Sequence, residues 1–120
     1  TLKEISKRIE GWKPLSNWSE NLAKFKERDR NTLKNLLEGA IAQQGEKVVA
    51  RRCEENADIL LSLVDEILYA SGTKEGNFKD GRTQVKFDLV RFSQIITGRS
   101  LTAEESIDLT EDVEDLGVYN

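Results

Sequence analysis

The sequence predicts a mainly α-helical fold, a small bundle of about five helices in one domain that spans residues 1–120. Three observations support this prediction. Apolar residues recur at spacings of three and four along most of the chain. Proline occurs only once, at Pro14, so long helices can run uninterrupted. Hydrophobic residues make up 38% and charged residues 33% of the chain, a balance typical of slim helices with wide polar faces.

The first predicted helix covers residues 2–10. Its apolar side chains share one face at helical spacing: Leu2, Ile5 and Ile9. Gly11 ends this helix, and Pro14 disfavours helical geometry in the connector that follows.

A second helical region is predicted from about residue 17 to residue 44. Three polar residues are candidate caps for its N-terminus: Ser16, Asn17 and Ser19. A charged segment interrupts its apolar pattern, and Asn31-Thr32 could cap a new helix. We therefore expect a break or bend there rather than one long helix, and we expect Gly45 to terminate the region.

Residues 46–70 give the clearest pattern in the chain. Core-facing residues repeat at steps of four and three: Val49, Cys53, Ala57, Leu60, Val64 and Ile67. This pattern predicts one continuous amphipathic helix of about six turns.

Residues 72–87 are predicted to interrupt the helices. Asp80-Gly81 is typical of a hairpin turn, and Thr83, Val85 and Phe87 alternate with polar residues as in a half-buried strand. We expect a loop here, with a short β-hairpin near residues 76–87.

Residues 88–120 are expected to form the C-terminal helices and an acidic end. Asp88 is a candidate cap for the first of these helices, and Gly98 ends it. The pattern Thr102-x-x-Glu105 is a capping box that opens the second.

The charge of the chain is unevenly distributed. Residues 1–52 contain 12 Lys or Arg against 7 Asp or Glu, whereas residues 53–120 contain 6 against 15. Within the helices predicted for residues 1–71, the basic excess lies in residues 1–52, and the C-terminal end of the chain is acidic. Opposite charges of this kind can pair within one molecule, between copies or with other partners.

The composition excludes several kinds of catalytic and metal site. Histidine is absent and Cys53 is the single cysteine, which excludes serine–histidine and cysteine–histidine nucleophiles and a structural zinc site within the chain. We expect no cofactor and no enzymatic activity. A lone cysteine and the absence of a long apolar segment indicate an intracellular protein, cytoplasmic or nuclear, without a membrane-spanning helix.

A helix-turn-helix is one alternative interpretation of residues 45–63. Residues 45–53 would form its first helix and residues 58–63 would begin its second. The second helix carries Asp58 and no basic residue, whereas a recognition helix meets phosphates with cations. A continuous core helix is the favoured interpretation.

Glu55 and Asp58 are two carboxylates about one helical turn apart, close enough to share a divalent ion. The stretch from Cys53 to Glu66 resembles the second metal motif of the MazG-like all-helical nucleotide pyrophosphohydrolases. That resemblance implies magnesium binding at these two residues. The family also has an upstream Glu-x-x-Glu pair, and here Glu38 is followed at that spacing by Ile41.

Two further segments are candidate binding surfaces. The first is basic and has flanking tryptophans that could stack on bases, which predicts binding to nucleic acid or an acidic partner; its residues are Lys24, Lys26, Arg28, Arg30, Lys34, Trp12 and Trp18. The second is acidic and apolar and is similar to the strand-forming motifs that bind ubiquitin-like modifiers; its residues are Ile107, Leu109, Glu111 and Asp112.

These features predict a non-catalytic helical module for protein interaction or assembly, one that associates with itself. The first alternative is a nucleic-acid-associated adaptor or regulator that uses the basic N-terminal half, a layout also found in phage packaging subunits. The second is a degenerate metal-dependent nucleotide pyrophosphohydrolase of the MazG-like kind.

Overall fold

The computed structural model describes residues 1–70, 78–111 and 113, and these residues form six α-helices and one π-helical turn. The elements, in chain order, are α1 (Leu2–Glu10), α2 (Glu20–Gln44), α3 (Glu46–Glu55), α4 (Ala57–Asp65), the π-turn (Glu66–Ala70), α5 (Phe78–Thr97) and α6 (Ala103–Thr110). The mainly helical fold is therefore confirmed. None of the described helices is long and apolar enough to cross a membrane.

One hydrophobic core joins the helices. α1 to α5 and the π-turn all contribute fully buried aliphatic or aromatic side chains, whereas α6 buries none of its residues. Each buried side chain of this size stabilises the fold by about 1.5–3 kcal/mol. The largest of them are Ile5, Ile9, Leu33, Leu60, Ile67, Leu68, Leu89, Phe92 and Ile96.

The predicted hairpin is wrong over residues 78–87, which form the first half of α5. The alternating pattern would bury Thr83 and Phe87 together with Val85, but both are exposed while Val85 is buried. Val85 and Leu89 instead start a helical stripe that continues into the core. Residues 76 and 77 lie outside the described residues.

The break predicted in the second helical region is also wrong, because α2 is continuous through Asn31 and Thr32. Thr32 lies within this helix, and its hydroxyl donates to the carbonyl of Arg28 at 3.0 Å instead of capping a new helix. The N-cap is Ser19, whose hydroxyl accepts from the Leu22 N–H at 3.2 Å. Gly45 ends the helix with φ at 93°, as expected of a glycine stop.

The long helix predicted at residues 46–70 is divided at Asn56. Its φ of −125° leaves the helical region, and both its main-chain N–H and its side-chain amide donate to the carbonyl of Arg52. Asparagine competes with the helix in this way because its amide bonds nearby main-chain groups. Only one residue, Asn56, separates α3 from α4, so the helix boundaries match neither the continuous helix nor the helix-turn-helix alternative, which ends its first helix at residue 53 and begins its second at residue 58.

The end of α5 and the start of α6 lie where local chemistry predicts. The capping box of Thr102 and Glu105 is present, with both reciprocal hydrogen bonds. Gly98 follows α5 with φ at 69°, and a Cβ there would lie 2.8 Å from the Arg52 guanidinium. The prediction that Asp88 caps a helix is wrong, because Asp88 lies in the middle of α5 and is buried.

Candidate functional site

Lys26 lies in the interior rather than on the predicted basic surface. It is fully buried on α2 and donates from Nζ to the main-chain carbonyl of Ile67 in the π-turn. Burial lowers the pKa of this ammonium to about 8, and the negative charge of Asp29 opposes the shift. The π-turn presents a carbonyl to the interior, and Lys26 satisfies it.

A buried ion pair lies next to Lys26 and joins α2 to α5. The guanidinium of Arg82 donates to both carboxylate oxygens of Asp29, at 2.8 and 3.1 Å. The same guanidinium lies 5.4 Å from the ring centroid of Phe25, one helical turn before Asp29. This two-point geometry offsets the desolvation of both charges and fixes how α5 meets α2.

Asp88 belongs to a group that we call the buried charge cluster, defined as the buried residues Lys26, Asp29, Arg82 and Asp88 together with the half-buried Glu66. Its Oδ1 accepts from the Gln84 amide at 2.9 Å, whereas Oδ2 is buried without a hydrogen-bond partner among the described residues. Burial raises the pKa of Asp88, and the nearby charge of Glu66 raises it further.

Sequence reasoning misses Asp29, Arg82 and Asp88, although one signal exists. Lys26 and Asp29 occupy positions that the apolar stripe from Leu22 to Leu33 would assign to the core. A charge at a core position requires a buried partner. Its identity, Arg82, cannot be inferred from local spacing.

Two other cations of the basic half also bond main-chain carbonyls at helix ends. Arg30 donates to the carbonyl of Ile9 at 3.1 Å, near the end of α1. Arg52 donates to the carbonyl of Ile96 at 3.1 Å, near the end of α5. The last carbonyls of a helix carry the negative end of the helix dipole, so cations stabilise them. Three of the twelve cations in residues 1–52, Lys26, Arg30 and Arg52, therefore bond main-chain carbonyls of the chain itself.

The remaining residues of the predicted basic surface are dispersed. Lys24 and Arg28 are exposed on α2, and Lys34 lines a small recess between α1 and α2. Trp12 is buried, with its Nε1 unpartnered among the described residues, and its ring centroid lies 6.3 Å from that of Trp18. The structure therefore does not bring the tryptophans and cations together on one open surface.

The two carboxylates with metal-site spacing are placed on different helices. Glu55 is the last residue of α3 and Asp58 is the second residue of α4, with the break at Asn56 between them, and both are exposed. Within residues 1–70, 78–111 and 113, no group of three acidic or cysteine side chains is arranged to hold a metal ion.

α6 presents an exposed face that we call the acidic face, defined as Ala103, Glu104, Ile107, Asp108 and Glu111. Ile107 is 65% exposed although it is aliphatic. Leu109 lies on the opposite, half-buried side of α6, and Asp112 lies outside the described residues. The structure thus separates the two aliphatic residues of the predicted docking segment.

The acidic face is fixed in place by polar contacts at the start of α6. Arg99 donates to both carboxylate oxygens of Glu105, at 3.2 and 2.8 Å. These bonds lower the pKa of Glu105 to about 2, with a further contribution from the Thr102 N–H. The N–H of Leu101 donates to the side chain of Gln94 on α5 at 3.0 Å.

A second exposed apolar residue lies on α5, where Phe87 is 60% exposed. We call its surroundings the aromatic face, defined as Thr83, Gln84, Phe87, Val90 and Arg91. Asp88 is the only acidic residue within 82–91, and it is 2% exposed because it points into the core. The aromatic face is therefore apolar and cationic.

Comparison with protein-family models, curated proteins and solved structures gave no match for this chain.

Proposed function

We propose that the chain is a non-catalytic helical interaction module that binds a protein partner through the acidic face of α6. The observation that carries this proposal is the exposure of the Ile107 side chain. It is 65% exposed at the centre of a helix that is firmly capped yet buries none of its own residues. A partner that covers such an aliphatic side chain removes apolar surface from water, which favours association.

The rigidity of α6 supports the proposal. The capping box, the Arg99–Glu105 pair and the bond from Leu101 to Gln94 all order the start of this helix before any partner arrives. A preordered surface loses less conformational entropy on binding than a disordered one. The contacts of α6 thus suit a docking element.

The charge around Ile107 indicates the chemistry of the partner. Glu104, Asp108 and Glu111 surround it, and the acidic face carries no cation. A complementary surface is therefore an apolar recess bordered by Lys or Arg, since such a surface pairs the carboxylates while it covers Ile107.

The buried charge cluster supports a structural rather than a catalytic use of the titratable groups. Arg82 donates two hydrogen bonds to Asp29, and Lys26 donates one to a main-chain carbonyl. These contacts join α2, α5 and the π-turn.

A photo-crosslinking residue at position 107 tests the proposal in cells that naturally produce the chain. We expect Ile107→benzoylphenylalanine to give a discrete protein adduct. The same residue at Gln43, which is exposed on α2, is the matched control and should give none. Adding Asp108→Arg and Glu111→Arg should abolish the adduct. Equal adducts at positions 107 and 43 would show that α6 has no special role.

A further inference from the structure

The acidic face and the aromatic face lie on neighbouring helices that pack against each other. α5 and α6 are in direct contact, and Gln94, one turn after Arg91, bonds the main chain two residues before α6 begins. Each face is centred on one large apolar side chain, Ile107 on α6 and Phe87 on α5. One molecule therefore carries two exposed apolar centres on helices that contact each other.

The two faces carry opposite charge. Ile107 is surrounded by three carboxylates, whereas Phe87 is accompanied by the exposed Arg91 and the half-buried Lys86. The one acidic residue beside Phe87 in sequence, Asp88, is turned into the core. The aromatic face thus has the chemistry expected of the partner for the acidic face, an apolar centre with cations beside it.

Building on the proposed interaction role of α6, we infer that the partner is a second copy of this chain, with the acidic face of each copy on the aromatic face of the other. Because the contact is made twice, the dimer is closed and two-fold symmetric: Ile107 of one copy meets Phe87 of the other, and the reverse. An aromatic side chain and an arginine are typical of the energetic centre of such interfaces.

The alternative pairings within a dimer are electrostatically worse. Two acidic faces placed together would bring Glu104, Asp108 and Glu111 of both copies into one interface without cations. Two aromatic faces would place Arg91 against Arg91. Like charges brought together oppose association, so the crossed arrangement is selected by charge as well as by apolar contact.

Charge reversal tests this arrangement by sedimentation equilibrium of the purified chain. We expect the wild type to dimerise and to dissociate more readily as salt is added, because exposed charges are screened. Arg91→Glu should weaken the dimer at least tenfold, as should the pair Asp108→Arg with Glu111→Arg. The three changes together should restore dimerisation, because each interface again joins opposite charges. Lys24→Glu, an exposed reversal on α2, is the matched control and should leave the dimer intact.

Two results would overturn the inference. One is a chain that stays monomeric at high concentration and low salt. The other is a dimer that all three reversals together fail to restore, with each variant shown to be folded by circular dichroism.

Crosslinking at position 107 separates failure of this inference from failure of the proposed function. In the purified chain, we expect an adduct with peptides from residues 82–91 of a second copy. A cellular adduct with a different protein, together with a monomeric purified chain, overturns the second-copy inference and leaves the interaction role intact. The absence of any adduct overturns both.

Discussion

Arg82 and Asp29 lie 53 residues apart in the chain and form a two-point ion pair in which the side chains are 1% and 2% exposed. The pair joins the start of α5 to the middle of α2, at the point where the apolar stripe of α2 is interrupted by charge. Removing one partner of such a pair leaves a buried charge without compensation.

Asp29→Asn should therefore lower the free energy of unfolding by about 3–5 kcal/mol. Urea denaturation measures this change. Replacing both partners, by Asp29→Leu with Arg82→Met, should recover most of the loss because no charge then remains buried at the pair. Arg8→Ala is the control: it breaks the Arg8–Asp65 pair, whose side chains are 44% and 49% exposed, and should cost less than about 1 kcal/mol. Equal losses for Asp29→Asn and Arg8→Ala would contradict the role of the buried pair.

Lys26 should make stability depend on pH in the alkaline range. The pKa of Lys26 is about 8 in the folded chain, against an ordinary value of 10.5. The contribution of this lowered pKa to the free energy of unfolding is therefore fully present above pH 10.5 and is lost as the pH falls through 8. The change is about 3 kcal/mol, from roughly 1.36 kcal/mol for each pKa unit. The difference in unfolding free energy between wild type and Lys26→Met, measured across this pH range, isolates this contribution.

The wild type has to be compared with Lys26→Met because Cys53 changes the free energy of unfolding with pH in the opposite direction. Burial raises the pKa of its thiol, so its contribution is lost as the pH rises. Cys53 is present in both proteins and cancels in the difference. If the unfolding free energies of wild type and Lys26→Met changed with pH in parallel, burial would not lower the pKa of Lys26.

Asp88→Asn should stabilise the chain near neutral pH. Because the pKa of Asp88 is raised in the folded chain, its contribution to the free energy of unfolding is present below pH 3.8 and is lost as the pH rises through the pKa of the folded state. Asparagine keeps the acceptor for Gln84 and removes a buried charge. The advantage of Asp88→Asn over wild type, measured by urea denaturation, should shrink as the pH falls from neutral towards 3.8. A variant that is less stable than wild type at neutral pH would show that the charge of Asp88 is favourable.

Gly98→Ala should destabilise the junction between α5 and α6. A φ of 69° costs a non-glycine residue about 1–2 kcal/mol, and the added Cβ would also displace the Arg52 guanidinium. Gly39→Ala is the matched control, because Gly39 lies within α2 and a Cβ there meets nothing within 4 Å. It should raise stability by up to about 1 kcal/mol. Thermal unfolding of the two variants should therefore shift in opposite directions.

The helix boundaries show how far local sequence patterns predict this fold. Ser19 and the Thr102–Glu105 capping box satisfy main-chain N–H groups within three residues, and Gly45 and Gly98 adopt positive φ where helices end. These features depend on the properties of single residues and their nearest neighbours. For that reason they were predictable without knowledge of the tertiary structure.

Residue identity and short-range spacing are enough to predict the helical class, most helix ends and the unequal distribution of charge. The tertiary structure alone decided that Lys26, Asp29 and Asp88 are buried, and that Phe87 and Ile107 are exposed. The physical reason is that burial of a charge depends on contacts between residues far apart in the sequence. Whether a charge can be buried depends on a partner such as Arg82, which only the packing of α5 on α2 brings within hydrogen-bonding distance.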